Sequence, residues 1–197
     1  LPIVGSNLAA FFIHVTDTVM LGWYGVNELA AIVLGGTFWF ITFILGSGFG
    51  TALPAVVASA RASGDEVQVR RATRMAIWLT LAYSVLIAPV FLFSEPLLLA
   101  IGQNPEVARL AGAYLMIAGW SVIPGLVTNL MRSYIAALGR PAVVLAVVVV
   151  GFVIHALLNW ALIFGHWGFP RLGIRGAAIS TLVSDLVICL LLVGYAL

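Results

Sequence analysis

The sequence predicts an all-α membrane protein, built as a bundle of six transmembrane helices. Hydrophobic residues make up 63% of the chain and charged residues only 8%, and the mean hydropathy is +1.17. Such a chain cannot cover itself with polar side chains as a soluble globule does. Six apolar runs are each longer than the roughly 18 residues that mark a membrane-spanning helix. The chain is therefore expected to form one domain, residues 1–197, embedded in lipid.

The six predicted spans account for nearly the whole sequence. In chain order they cover residues of about 1–24, 29–60, 73–94, 109–131, 141–166 and 174–197. The connections between them are short, which favours a compact helix bundle. A further short apolar segment, Glu95–Gly102, is too short to span and is expected at the outer interface.

The first span does not resemble a cleavable signal peptide. It has no basic segment before it, it is too long for a signal's apolar core, and it contains His14 and Asp17. The chain also starts without Met and ends in apolar sequence. We expect it to lie within a longer protein.

The second span is unusually long and rich in glycine. Its glycines predict close helix contacts, and together with Pro54 they predict a tilt, a kink or an extension beyond the bilayer. The segment GSGFG from Gly46 resembles a phosphate-binding loop only superficially. It has no preceding strand and no Lys-Ser/Thr ending.

The basic residues predict the orientation of the protein. All nine are arginines at the predicted ends of spans. Six lie on one side of the membrane: Arg61, Arg70, Arg71, Arg74, Arg132 and Arg140. The other three are Arg109, Arg171 and Arg175. Because positive residues concentrate on the cytoplasmic side, both termini are expected in the cytoplasm. Nothing in this pattern indicates nucleic-acid binding.

Asp17 is the first candidate for a functional residue. It lies in an otherwise uncharged span, and a carboxylate at such depth costs roughly 2.5 to 3.5 kcal/mol on insertion scales. Acids inside the membrane therefore usually mark an ion, proton or substrate path.

Further polar residues are expected to meet Asp17 at a common depth. Three helices each carry a polar face with helical spacing: Asn7, His14 and Asp17; His155 and Asn159; Thr181 and Asp185. Counting the helix rise from the outer ends places Asp17, Asn159 and Thr181 at one level. The same counting places His14, His155 and Asp185 in a second tier, nearer the midplane.

These groups suit several roles. Asp17 with an amide and a hydroxyl offers oxygen ligands for a hard cation, and a buried carboxylate also binds protons. The same groups alternatively form a hydrogen-bond network that only fixes helix packing. Another alternative is a haem-bearing subunit with His14 and His155 as axial ligands, and a last one is a structural scaffold. No enzyme is predicted, because the sequence contains no recognisable catalytic motif.

Three segments carry a family resemblance: DTVMLGWYGVNELAA at 17–31, AALGRP at 136–141 and NWALIFGHWGFPRLGIRGAAIST at 159–181. In these segments, in their order and in their spacing, the chain resembles the multidrug and toxic compound extrusion family of secondary transporters. The resemblance implies a twelve-helix fold of two six-helix lobes, of which this chain is similar to the N-terminal one. It also implies export of cationic amphipathic drugs and metabolites, driven by protons or sodium.

The resemblance also implies which residues couple transport to the ion. They are Asp17, Asn159 and Thr181, and the three are possible ligands of a sodium ion. Many members carry Asn where this chain has His155, which titrates nearer neutral pH and binds sodium poorly. His155 and Asp185 therefore favour proton coupling through a shared network.

The remaining expectations concern partners and location. The resemblance implies a second six-helix lobe, a small cationic substrate, contact with membrane lipid and no cofactor besides the coupling ion. The expected location is the bacterial cytoplasmic membrane. A flippase of lipid-linked sugars has a related architecture and is the alternative among transporters. Of the aromatic residues, Phe38, Trp39, Phe40 and Trp120 are available for the apolar drug cavity.

Overall fold

Eight α-helices and one 3-10 turn form the described part of the chain. The computed structural model describes the backbone of residues 2–196, and the side chains among them except those of residues 49–52, 54 and 61. The helices are α1 (Pro2–Tyr24), α2 (Val26–Ala62), α3 (Glu66–Leu92), α4 (Ser94–Ala100), α5 (Pro105–Ala118), α6 (Val122–Ala137), α7 (Pro141–Phe164) and α8 (Ile174–Ala196), with the 3-10 turn at Gly119–Ser121. Arg61, Gly50 and Pro54, which entered the sequence predictions, lie outside the described side chains.

The prediction of an all-α bundle with six spans is confirmed. Within the described residues, six helical stretches are long and apolar enough to cross a membrane. They consist of α1, α2, α3, α5 joined to α6, α7 and α8. The α2 helix has 37 residues, which corresponds to about 55 Å and exceeds the roughly 30 Å of a bilayer core. It therefore reaches beyond the apolar layer.

Local sequence signals set the helix ends. The Asp65 carboxylate accepts a hydrogen bond from the Gln68 backbone N–H and caps α3, so α3 begins at Glu66 rather than near residue 73. Asn104 caps α5 in the same way, directly before Pro105. At the end of α7, Gly165 adopts φ of 76° and ψ of 39°, a left-handed conformation that glycine tolerates best.

The fourth span is interrupted where the sequence prediction had one continuous helix. Pro124 lacks a backbone N–H and its ring disfavours a helical bond to residue 120, and the chain forms a 3-10 turn at Gly119–Ser121. The carbonyl of Ala118 accepts bonds from the Trp39 indole N–H at 3.1 Å and the Ser121 hydroxyl at 2.8 Å. Side chains thus bond the backbone at the break.

Two apolar clusters divide the core. One contains Leu21 and Ile163, and the other contains Ile13 and Val148. Along α1 and α7, Asp17 and His155 lie between these residues. The helices that meet here pack closely, α1 against α7 and α7 against α8. A polar layer is therefore enclosed between two apolar layers.

Candidate functional site

The polar layer is centred on the Asp17 carboxylate, which contacts two side chains of α7. Asp17 Oδ1 lies 2.9 Å from His155 Nε2 and 2.6 Å from Asn159 Nδ2. The side chains of His155 and Asn159 are fully buried, and Asp17 is 2% exposed. Because a buried charge is costly unless it is paired and hydrogen-bonded, these contacts make the carboxylate possible at this depth.

His155 also contacts α8 through its second ring nitrogen. Its Nδ1 lies 3.1 Å from Ser184 Oγ, and the Ser184 hydroxyl is 2.6 Å from the Ser180 carbonyl oxygen. A hydroxyl has one proton, and the Ser180 carbonyl takes it. Ser184 Oγ therefore accepts a hydrogen bond from the Nδ1–H of His155.

This arrangement favours a proton between His155 and Asp17. With Nδ1 protonated, a neutral His155 has a lone pair on Nε2, and a lone pair 2.9 Å from a carboxylate oxygen is repelled by it. The contact is favourable when a proton lies between the two atoms, on either His155 or Asp17. The pair then has no net charge, which suits its burial.

The amide nitrogen of Asn159 is hydrogen-bonded, whereas its amide oxygen has no described partner. Its Nδ2 donates to Asp17 and lies 3.1 Å from His155 Nε2. Its Oδ1 is buried and has no hydrogen-bond partner among the described residues. An unsatisfied buried carbonyl oxygen is uncommon and is able to accept a proton donor or ligate a cation.

The other predicted site residues lie around this cluster and not in it. Thr181 is buried, and its hydroxyl donates to the Ala177 carbonyl at 3.0 Å and faces Tyr114. Asp185 is half-buried beside Ser121. His14 is exposed, with its ring centroid 6.0 Å from that of Trp39. His155 therefore lies at the same level as Asp17 and Asn159 and contacts both. Thr181, Asp185 and His14 make no hydrogen bond to these three side chains in the described structure.

Two cavities reach this region. One of about 380 Å³ lies between α1 and α2 and is lined by Asp17 and Tyr114. The other, of about 310 Å³, is lined by α6 and α8 as well, and it contains Thr181 and Asp185. His14 lines both. We call the second one the central cavity.

Aromatic side chains form part of the wall of the central cavity. Trp39 and Phe43 stack with ring centroids 4.9 Å apart, and Phe40 lies beside them. Of the other candidates, Phe38 packs edge-on against Phe91 in the core, and Trp120 lines a separate small cavity.

The geometry does not suit haem ligation. Both ring nitrogens of His155 contact protein side chains, Ser184 and Asp17, which leaves neither nitrogen available as an axial ligand. The described residues also contain no cluster of three His, Cys, Asp or Glu that would hold a metal ion.

Sequence reasoning missed two residues that the structure places at these sites. Ser184 contacts His155, and its spacing from Thr181 on α8 put it on the same helix face. Arg132 was interpreted only as a marker of orientation. It lies inside α6, with its guanidinium 2.8 Å from the Asn7 amide oxygen, and it lines the central cavity.

Comparison with known sequences gives the family of the chain. The MatE family model matches residues 2–161. A probable multidrug resistance protein NorM from Rhizobium meliloti is 47% identical over 98% of this chain and 42% of the relative. The protein of the same name from Agrobacterium fabrum is 40% identical over 99% and 42%. The chain thus spans about two fifths of the length of these curated relatives.

Solved structures agree with the fold. An outward-facing MATE family transporter of the MOP superfamily superposes with a TM-score of 0.88 at 20% identity, covering 99% of this chain and 43% of that one. The eukaryotic MATE transporter AtDTX14 gives a TM-score of 0.90 at 21% identity, covering 98% and 43%. At these identities the likeness concerns the fold alone. Together with the sequence matches, it shows that the chain belongs to the MatE family and forms a six-helix lobe of the MATE fold.

Proposed function

We propose that this chain is the N-terminal lobe of a proton-coupled antiporter that exports cationic amphipathic compounds across the bacterial cytoplasmic membrane. The support from relatives is that two of them are named as probable multidrug resistance proteins. The support from the site is a buried acid–base pair beside a cavity with an aromatic wall.

The observation that carries the proposal is the contact between Asp17 and His155. The 2.9 Å separation of Oδ1 and Nε2 favours a shared proton when Ser184 accepts from Nδ1. Loss of that proton leaves a carboxylate facing a lone pair, and the two helices α1 and α7 that carry them are then pushed apart. Proton binding is thereby linked to helix packing, which is the physical requirement for coupling an ion to a conformational change.

Access to the pair supports the same role. The cavity between α1 and α2 reaches the Asp17 side chain, so a proton has a path to the carboxylate although the residue itself is buried. A purely structural hydrogen-bond network needs no such opening.

Sodium is the second candidate for the coupling ion, and Asn159 is the observation that favours it. Its Oδ1 is buried without a described partner, and rotation of the amide turns this oxygen toward Asp17. Two of the three proposed ligands, Asp17 and Asn159, then face one point. Thr181 Oγ1 is bonded to the backbone of its own helix and has to turn to join them.

The central cavity is the proposed binding site for the substrate. Its aromatic wall of Trp39, Phe40 and Phe43 suits apolar rings, and Asp185 supplies a negative charge for a cationic group. Because Asp17 and His155 neutralise each other, Asp185 is the carboxylate available to a ligand. We therefore assign coupling to Asp17, His155 and Asn159, and Asp185 to both the shared proton network and the substrate.

The proposed partner is a second six-helix lobe of the same transporter. The chain covers 42% of the relatives that it matches, and a related lobe is expected to complete the substrate pathway. The excess of arginine on one side supports cytoplasmic termini.

The test is transport by the full-length protein in proteoliposomes. An imposed inward proton gradient without sodium is expected to drive export of a preloaded fluorescent organic cation from the vesicles, and His155→Asn is expected to shift its pH dependence. Transport that requires a sodium gradient and ignores the pH gradient would reject proton coupling and favour the Asn159 alternative. Absence of transport under either gradient would reject the antiporter proposal itself.

A further inference from the structure

Arg132 is a cation inside a predicted membrane span, and it has no anionic partner among the described residues. Its guanidinium Nη2 contacts only neutral groups, Asn7 Oδ1 at 2.8 Å and Ser6 Oγ at 3.4 Å. All seven Asp and Glu side chains are described, and none lies within 4.0 Å of it. Arg132 is half-buried and lies before the end of α6 at Ala137, and an unpaired charge within a span often marks a functional site.

The direction of the Arg132 side chain argues against a role in orientation alone. Arginines near the end of a span usually extend toward the headgroups. Here the guanidinium is held against α1 by Asn7 and Ser6. It lines both the central cavity and an adjoining cavity of about 180 Å³.

A second, independent observation lies one turn along α6. Thr128 is 9% exposed, and its hydroxyl has no hydrogen-bond partner among the described residues. The Cys189 thiol, a weak hydrogen-bonding group, interacts with it. Thr128, Asn129 and Arg132 all line the central cavity, and their spacing puts them on one face of α6. Three residues whose side chains are able to donate hydrogen bonds therefore line the same space.

We propose that Arg132, Thr128 and Asn129 form a binding site for an oxyanion, a carboxylate or phosphate group, at one end of the central cavity. Guanidinium groups recognise both kinds of anion through paired hydrogen bonds. The ligand supplies the negative charge that Arg132 has no described partner for, and it offers the Thr128 hydroxyl a stronger acceptor when that side chain turns toward the cavity.

The opposite end of the central cavity carries an acidic side chain. Asp185 Oδ2 lies 3.8 Å from the point where a Cβ would stand on Gly125. Gly125 and Arg132 are two turns apart on α6, which corresponds to about 10 Å. The cavity thus has an acidic end and a basic end, with stacked aromatic rings along its wall. A probe that carries both an amine and an acidic group is therefore suited to report on both ends.

This inference rests on the proposed export function for its substrate, but binding is testable without transport. The probes are an aromatic amine that carries a carboxylate and the methyl ester of the same compound. Their affinities for the purified full-length protein in nanodiscs are measured by calorimetry. Arg132→Gln is expected to weaken binding of the carboxylate probe by about tenfold or more and to leave the ester nearly unchanged.

Two further variants separate recognition from structure. Arg132→Lys retains the charge without the paired hydrogen bonds, so it is expected to lie between wild type and Arg132→Gln. Arg140→Gln removes an exposed arginine that bonds Tyr195 outside the cavity, and it is expected to leave the affinities for both probes unchanged. Equal losses for both probes in Arg132→Gln, or no loss for either, would overturn the proposal.

The source of the oxyanion is distinguished by lipid composition. The carboxylate probe is titrated in nanodiscs of zwitterionic lipid and again with an anionic phospholipid added. Competition by the anionic lipid that disappears in Arg132→Gln supports the site and assigns a headgroup phosphate to it. Unchanged affinity supports the acidic group of a substrate. Wild-type protein that binds the probes but exports neither would refute the export function and leave the oxyanion site standing.

Discussion

His155 and Asp17 lie in direct contact across the interface of α7 and α1, with 2.9 Å between Nε2 and Oδ1. Both side chains are buried, and the second ring nitrogen of His155 is held by Ser184 on α8. Three helices therefore meet at one imidazole. A change in its protonation alters contacts on two helix interfaces at once, and this makes the pair suitable for coupling.

Asp17→Asn is expected to abolish ion-driven export and to leave expression and folding nearly intact. The amide retains the shape and the oxygen that accepts from Asn159, but it removes the group that shares a proton with His155. The measurement is efflux of a fluorescent substrate from cells. Glu106→Gln, at an exposed acid, is the control and is expected to export normally. Wild-type export by Asp17→Asn would contradict the coupling role.

Ser184→Ala is expected to lower the pH of half-maximal export by about one unit. The substitution removes the acceptor for the His155 Nδ1–H, and an orphaned buried donor costs about 1 to 3 kcal/mol, where one pH unit corresponds to about 1.4 kcal/mol. Without Ser184, a neutral His155 is free to carry its single proton on Nε2, facing Asp17, whereas a protonated ring keeps the orphaned Nδ1–H. Protonated His155 is thereby disfavoured, so a higher proton concentration is needed to load the pair.

Ser180→Ala is the matched control for Ser184→Ala. Both serines are buried in α8 and donate to the carbonyl four residues before them, but only the Ser184 hydroxyl contacts His155. The pH profile of Ser180→Ala is expected to follow wild type. Identical profiles for the two variants would remove Ser184 from the site.

The sequence was sufficient to predict the span count and the meeting of α1 with α7. Asp17 and Asn159 were placed at one level by helix rise, and their contact at 2.6 Å agrees. Ser184 was missed because serine is common in membrane helices and carries no charge to single it out. Arg132 was misjudged for a different reason. Position in a span gives the depth of a Cα, whereas the direction of a long side chain depends on neighbours such as Asn7, which only the fold supplies.

The break in the fourth span had a visible cause in Pro124, but hydrophobicity alone gave one continuous helix. The effect of a proline inside a membrane helix depends on whether other groups bond the freed backbone. Here Trp39 and Ser121 bond the Ala118 carbonyl. Trp39 lies 79 residues away in the chain, so local sequence does not reveal it.

Cysteines at the two ends of α3 and α4 are expected to react from opposite sides of the membrane. Asp65 lies between α2 and α3, and Gln103 follows α4; the arginine asymmetry places the first in the cytoplasm and the second outside. The measurement uses a membrane-impermeant thiol reagent, in a background where Cys189 is replaced by Ala.

One of the two labelling positions, Asp65, also stabilises the start of α3. Asp65 caps α3 through its carboxylate, so Asp65→Cys is expected to cost about 1 kcal/mol. Ala62→Cys, at the exposed end of α2, reports the same side without removing the cap. Labelling of Gln103→Cys and either of these positions from one side would contradict the predicted topology.

Gly176→Ala is expected to destabilise the lobe by about 1 to 3 kcal/mol, because α8 approaches the end of α7 too closely there for a side chain. A Cβ at Gly176 would lie 2.7 Å from the Leu162 carbonyl carbon and oxygen, and 3.0 Å from the Ile163 nitrogen. Backbone atoms cannot rotate away as the end of a side chain does, so α7 and α8 have to separate.

Gly194→Ala is the control, since a Cβ at that position of α8 meets nothing within 4 Å. Thermal unfolding in detergent should therefore show a lower midpoint for Gly176→Ala and an unchanged or slightly higher one for Gly194→Ala. Equal midpoints for Gly176→Ala and wild type would show that the two helices do not approach as closely as the structure places them, and the His155–Ser184 contact between the same helices would then lose its support.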